Sequence, residues 1–133
     1  MAKLKLIVVT PERKAVEEEA DEVQLPGELG YLGILPGHTP LITLLKPGVL
    51  SYRNGGAQMS LAISSGFAEI SGDTVSVLAD LAEASAQIDA SAAEREKARA
   101  EQELKTASFE TMAEIRTRLE LALARLAVAR RAS

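Results

Sequence analysis

Between Leu25 and Gly48 the chain carries five glycines and four prolines set among short apolar runs. Proline fixes φ and removes a backbone donor, while glycine opens backbone angles closed to other residues. No long helix or strand survives that density, so the stretch must be short strands joined by tight turns. Eight apolar residues share it: Leu29, Leu32, Ile34, Leu35, Leu41, Ile42, Leu44 and Leu45. They are too many for a solvated loop. The expectation is a rim of fixed turns with a core beneath it.

The flanking segments read as strands. Leu4, Leu6 and Val8 alternate with Lys5 and Ile7, and Pro11 ends the run. Val23 and Leu25 alternate about Gln24. Val49 to Arg53 leads into Asn54-Gly55-Gly56, a hairpin turn signal. The returning strand puts Met59, Leu61 and Ile63 on one face and Gln58, Ser60, Ala62 and Ser64 on the other. Phe67 to Ile70 and Val75 to Ala79 flank a turn at Gly72-Asp73. Glu17, Glu18 and Glu19 read as a solvated turn between strands. Turn signals at this spacing predict roughly seven to ten short strands over residues 1–84, forming an antiparallel β-sandwich or a barrel.

Beyond Gly72 there is neither glycine nor proline, and alanine, glutamate and arginine dominate. These are strong helix formers. Asp89, or Ser91 with Glu94 three residues on, suits a helix N-cap. A second helix starting near Ser108 carries Met112, Ile115, Leu119, Ala122, Leu126 and Ala129 as one apolar seam. The matching face of the first helix is Ala93, Lys97, Ala100, Leu104 and Ala107. The short link Thr106-Ala107-Ser108 makes residues 85–133 an antiparallel two-helix hairpin, so the fold class is α+β. A buried leucine contributes ~1.5–3 kcal/mol and an alanine far less. Such an alanine face suits either a displaceable hairpin or a permanently docked one in close approach.

Composition narrows the function classes. No cysteine is present, which removes disulfides, thiolate nucleophiles and cysteine metal sites; a single histidine removes a multi-histidine centre. Aromatic residues are only 3%, too few for base-stacking platforms, and the net charge of −4 gives no drive toward nucleic acid. No apolar run reaches the ~20 residues of a membrane span, and Lys3 and Lys5 among leucines do not lay out a signal peptide. A cytosolic or cytosol-facing protein without lipid insertion is expected. The acidity lies in residues 1–85, net −5, whereas residues 107–133 carry Arg116, Arg118, Arg125, Arg130 and Arg131, net +2. Those arginines suit the helix dipole or a grip on an acidic partner. His38 has no companions for a triad, and the glycines match no phosphate loop. No catalytic constellation and no metal motif is found.

The run Gly33-Ile34-Leu35-Pro36-Gly37-His38-Thr39-Pro40-Leu41, followed by Lys46-Pro47-Gly48, resembles the signature of the epsilon subunit of F-type ATP synthases. That signature reads Gly-Ile-(aromatic or Leu)-Pro-Gly-His-Ala-Pro-Leu, then Lys-Pro-Gly. Spacing is kept without gaps, and the similarity extends over essentially the whole chain. The resemblance implies a ten-stranded β-sandwich with a two-helix hairpin, at the foot of the central rotating stalk. It implies a non-catalytic subunit that binds the gamma subunit and the membrane ring of c subunits and couples proton flow to ATP synthesis. The complex would sit at the cytoplasmic face of the plasma membrane. The hairpin of such subunits can extend into the catalytic alpha/beta head and inhibit ATP hydrolysis.

By position, Gly33, Pro36, Gly37 and His38 match the family's stalk and ring contact. Tyr31 stands where members often carry an acid, which leaves Glu28 as the nearby carboxylate. The inhibitory contacts would fall to the five late arginines. Many members also hold ATP through Ile/Leu-Asp-x-x-Arg-Ala. Here Ile88, Asp89 and Ala93 match, Ala92 replaces the arginine, and Arg95 lies one turn on. The implied cofactor is none, or at most a weakly held regulatory ATP. The reading from residues alone also leaves open a β-sandwich adaptor that offers its helical hairpin to some other partner.

Overall fold

A computed structural model describes residues 2–131. Ten strands come first: β1 (Leu4–Val9), β2 (Lys14–Ala20), β3 (Glu22–Gly27), β4 (Gly30–Ile34), β5 (Leu41–Leu45), β6 (Gly48–Asn54), β7 (Ala57–Ile63), β8 (Gly66–Ser71), β9 (Thr74–Ala79) and β10 (Ala82–Glu83). A 3-10 turn at Ser85–Gln87 leads to α1 (Ala90–Leu104) and α2 (Phe109–Arg131). The strands follow the order β10-β7-β6-β3-β5-β8-β9-β1-β2, with β4 paired to β3 off that path. Each strand sends alternate residues inward. Leu4, Leu6, Val8, Val23, Leu25, Ile34, Leu50, Ile63, Ile70, Val75 and Val77 meet there, each no more than 1% exposed. All pairings are antiparallel except β1 with β9, which run parallel and bring Val8 beside Val77.

Turn chemistry sets the register where the sequence signalled it. Asn54 pairs with Ala57 around Gly55-Gly56, and Gly55 takes φ +63°, a region open to glycine. Its N–H donates to Asp21 Oδ2 at 2.7 Å. At Gly66 the constraint is space: a Cβ there would run into the Leu78 carbonyl of the neighbouring strand.

Two sequence expectations change. Glu17, Glu18 and Glu19 are exposed, but they lie within β2 rather than in a turn. β2 ends the sheet path and pairs only with β1, and charges on such an edge hinder pairing with another chain. Val16 and Ala20 of β2 still point inward. Glu18, in the same row, meets the Tyr52 phenol, which burial first and this carboxylate second push up to about 12. The second change concerns the rim, where only Ile34 and Leu45 are fully buried. Leu29 and Leu35 are exposed in the connections on either side of β4, and Ile42 and Leu44 are exposed because β5 carries apolar residues on both of its faces and only one faces the core.

Of the two N-cap candidates, Asp89 caps α1, its Oδ1 accepting from the Ala92 N–H at 3.0 Å. Ala93 and Ala100 are buried against α2, as expected, while α2 buries Ile115, Ala122, Ala124, Leu126 and Val128. Ala124 and Val128 lie outside the expected seam because α2 has a second apolar face, packed on β6 and β7. There Val49 and Ala62, paired across the two strands, form a small cluster with Ala124 and Val128, flanked by Ile88 and Ala127. Among the described residues, no helix is long and apolar enough to cross a membrane.

Candidate docking surfaces

α2 packs on β6 and β7, and other strands of the sandwich leave an apolar row uncovered. On the outward face of β5, β8, β9 and β1, the register sets Leu44 beside Phe67, Phe67 beside Leu78 and Leu78 beside Val9. Leu44 is 60% exposed, Phe67 42% and Leu78 44%; Ile42, one residue pair along, is 70% exposed. Solvent-facing sheet surfaces usually alternate to polar residues, so a contiguous apolar row marks a contact surface. The sequence placed Ile42 and Leu44 among the apolar residues of a rim above the core and singled out neither Phe67 nor Leu78 as exposed. The signal that could have separated them was β5 itself, Leu41-Ile42-Thr43-Leu44-Leu45, where neighbouring residues are apolar and so cannot all face one way.

The rim candidates divide between the two ends of β4. At one end, Glu28 and Leu29 form the two-residue turn between β3 and β4, with Leu29 fully exposed at its tip. The Glu28 N–H donates to the Leu44 carbonyl at 3.0 Å, tying this tip to the apolar row. Tyr31 follows, 59% exposed, and its hydroxyl accepts from the Val49 N–H at 3.1 Å. At the other end lie Pro36, Gly37 and His38, in the loop before β5. Gly37 takes φ +86° and its N–H donates to Asp73 Oδ1 at 2.9 Å. The His38 N–H donates to the Leu35 carbonyl, and its Nδ1 lies 2.6 Å from the Thr39 carbonyl. The imidazole is therefore occupied with its own loop. Gly33 is exposed on β4 opposite Gln24.

The arginines of α2 are mostly engaged within the chain. Arg118 joins the two helices, with Nη2 at 2.5 Å from Glu103 Oε2 and Nε at 3.2 Å from Glu96 Oε1. Its hydrogen bond holds the Glu103 carboxyl below the ordinary carboxylate value. Arg125 Nε pairs with Glu83 Oε1 of β10 at 2.6 Å, and Arg131 donates to Ser60 Oγ of β7 at 3.2 Å. Lys46, in the loop before β6, adds an ion pair to Glu120 at 3.6 Å. Arg116, about two turns into α2, and Arg130, in its last turn, are exposed.

Ile88, Asp89 and Ala93 line a cleft of about 430 Å³ between β10 and the two helices, together with Ala92, Arg118 and Arg125. Arg95 is exposed on α1 outside that lining. Both cleft arginines already hold carboxylates, Glu83 and Glu96, that line the same space. Among the described residues, no cluster of three or more acidic or histidine side chains could hold a metal ion.

Residues 3–85 match the family model for the ATP synthase Delta/Epsilon chain, beta-sandwich domain. The ATP synthase epsilon chain of Koribacter versatilis is 48% identical over 103 residues, 77% of this chain and 72% of the relative. That of Citrifermentans bemidjiense is 42% identical over 133 residues, 98% of this chain and 96% of the relative. In three dimensions the fold resembles a chain in the cryo-EM structure of the Euglena gracilis mitochondrial ATP synthase, OSCP/F1/c-ring in rotational state 1. The TM-score is 0.82 at 21% identity, covering 96% of this chain and 81% of that one.

Proposed function

The chain belongs to the ATP synthase epsilon-chain family, and on that premise we propose that it is a non-catalytic rotor subunit of a proton-translocating synthase. The observation that carries this reading is the uncovered row Leu44, Phe67, Leu78 and Val9, with Ile42 beside it. That row takes the gamma subunit of the central stalk. The turn at Glu28-Leu29, with Tyr31 behind it, faces the ring of c subunits; the loop at Pro36, Gly37 and His38, with Gly33 above it, lies at the stalk side. The subunit sits at the cytoplasmic face of the membrane as part of the complex. The division at Ala84 separates the assembling sandwich from a regulatory hairpin.

The arginine pairs give that regulation a physical form. Arg118, Arg125 and Arg131 cannot serve the alpha/beta head and their present partners together. Extension of the hairpin must first release Glu83, Glu103 and Ser60, and that competition keeps inhibition conditional.

The test is add-back of the full chain to its own organism's synthase stripped of this subunit. Wild-type protein should restore coupling, and Phe67→Glu should lose about 2 kcal/mol or more of stalk affinity, roughly thirtyfold, as expected for a buried interface anchor. Unchanged assembly of Phe67→Glu would remove the apolar row from the interface. A second arm asks whether a chain ending at Ala84 restores coupling without suppressing hydrolysis.

A further inference from the structure

The β3–β6 ladder ends at Gln24 opposite Ser51. Two residues further along, opposite Val49, β3 has Pro26, which carries no N–H and whose carbonyl accepts from the Lys46 N–H at 3.0 Å. The Val49 N–H on β6 therefore has no strand partner there, although Val49 itself is only 7% exposed. The Tyr31 hydroxyl fills the gap from across β3. Pro26 is Tyr31's own pairing partner, so the phenol crosses the strand on its outer face. Gly48 makes the approach possible: a Cβ there would lie 2.7 Å from Pro26 Cβ and 3.1 Å from Tyr31 Oη.

The side chain of Val49 belongs to the cluster on which Ala124 and Val128 of α2 rest. Two residues before Gly48, Lys46 reaches Glu120 of the same helix. The segment from Lys46 to Val49 thus touches the rim through Tyr31 and the helical hairpin through Glu120, Ala124 and Val128. From this geometry we infer that Tyr31 is a positioning residue that couples the β3–β4 turn to the docking of the hairpin. A partner that shifts the exposed phenol removes the acceptor from the Val49 N–H, loosens the start of β6 and lowers the hold on α2. The coupling is reciprocal, because linkage requires that undocking of α2 also loosen the turn. The inference rests on the proposal above only for what presses on Tyr31, the ring of c subunits; the coupling itself is a property of the isolated chain.

Amide hydrogen exchange on the full-length protein tests it without the synthase, so its outcome is independent of whether the chain joins a stalk. Tyr31→Phe keeps the ring and removes only the hydroxyl. The expected result is about tenfold faster exchange at Ala122 to Val128, the size that follows when a buried N–H loses its acceptor, with Val8 and Val77 unchanged. Unchanged α2 exchange overturns the inference. So does equal acceleration of Val8 and Val77, which would make Tyr31 a general support of the sandwich. Ala124→Glu, which forces α2 off its seat, should speed exchange at Val49 and in the β3–β4 turn by a similar factor. A turn indifferent to that substitution overturns the inference from the other side.

Discussion

Leucine, isoleucine and valine fill the interior of the sandwich, whereas Val49, Ala62, Ala124 and Val128 make up the patch beneath α2. The first cluster removes large side chains wholly from water, at roughly 1.5–3 kcal/mol each. The second brings small side chains into close approach and buries far less. Polar ties supplement it: Arg125 with Glu83, Lys46 with Glu120 and Arg131 with Ser60. Exposed or half-exposed ion pairs contribute about 0–1 kcal/mol each. The sandwich is therefore held chiefly by buried apolar area, and the helical arm by a small patch and by polar ties that respond to salt and acid.

Substitutions should separate the two. Leu50→Ala in the core should cost about 2–5 kcal/mol, read as a lowered denaturant midpoint for the whole sandwich. A smaller loss would mean the core tolerates cavities. Val128→Ala removes two methyl groups at the patch and should cost on the order of 1–1.5 kcal/mol. This should appear as faster hydrogen exchange in α2 with the β-strand amides unaffected; spread into the strands would erase the distinction between body and arm. Glu83→Gln should cost under about 1 kcal/mol, visible as salt-insensitive α2 exchange where the wild type is salt-sensitive. Acid supplies the mildest perturbation. Glu103 has its carboxyl held down chiefly by its hydrogen bond to Arg118, so its contribution is complete above the ordinary value of 4.5 and fades as pH falls below that through the depressed value. Loss of the α1–α2 contact in that window, before the sandwich opens, should be seen in helical circular dichroism. Simultaneous loss of both would count against an independent arm.

Much of the body was legible because its rules are local. Alternation at Leu4, Leu6 and Val8 and the turn at Gly55-Gly56 depend on neighbours in sequence. So does the capping of α1 by Asp89. What escaped depends on position within the sheet. Three successive glutamates look like a turn until β2 is known to be an edge. Leu44 looks like core until β5 is known to have only one covered face. Ala124 and Val128 fell outside the helix–helix spacing because they answer to a strand pair sixty or more positions earlier, Val49 and Ala62. Tyr31 offered no sequence sign of its bond to Val49, since the need for it arises only where Pro26 interrupts a ladder.

The parallel pairing of β1 with β9 also fixes a sequence of events in time. The strand made first pairs early with β2 but finds its second partner only when residues near Val77 have been synthesised, and such distant closures are slow steps in folding. The helices come later still and dock on β6 and β7, already part of the assembled sheet. The arm is thus added last and can leave without reopening the β1–β9 seam. A nascent chain therefore assembles the sheet before the helices that rest on it, which is the order that the regulatory hairpin proposed above requires.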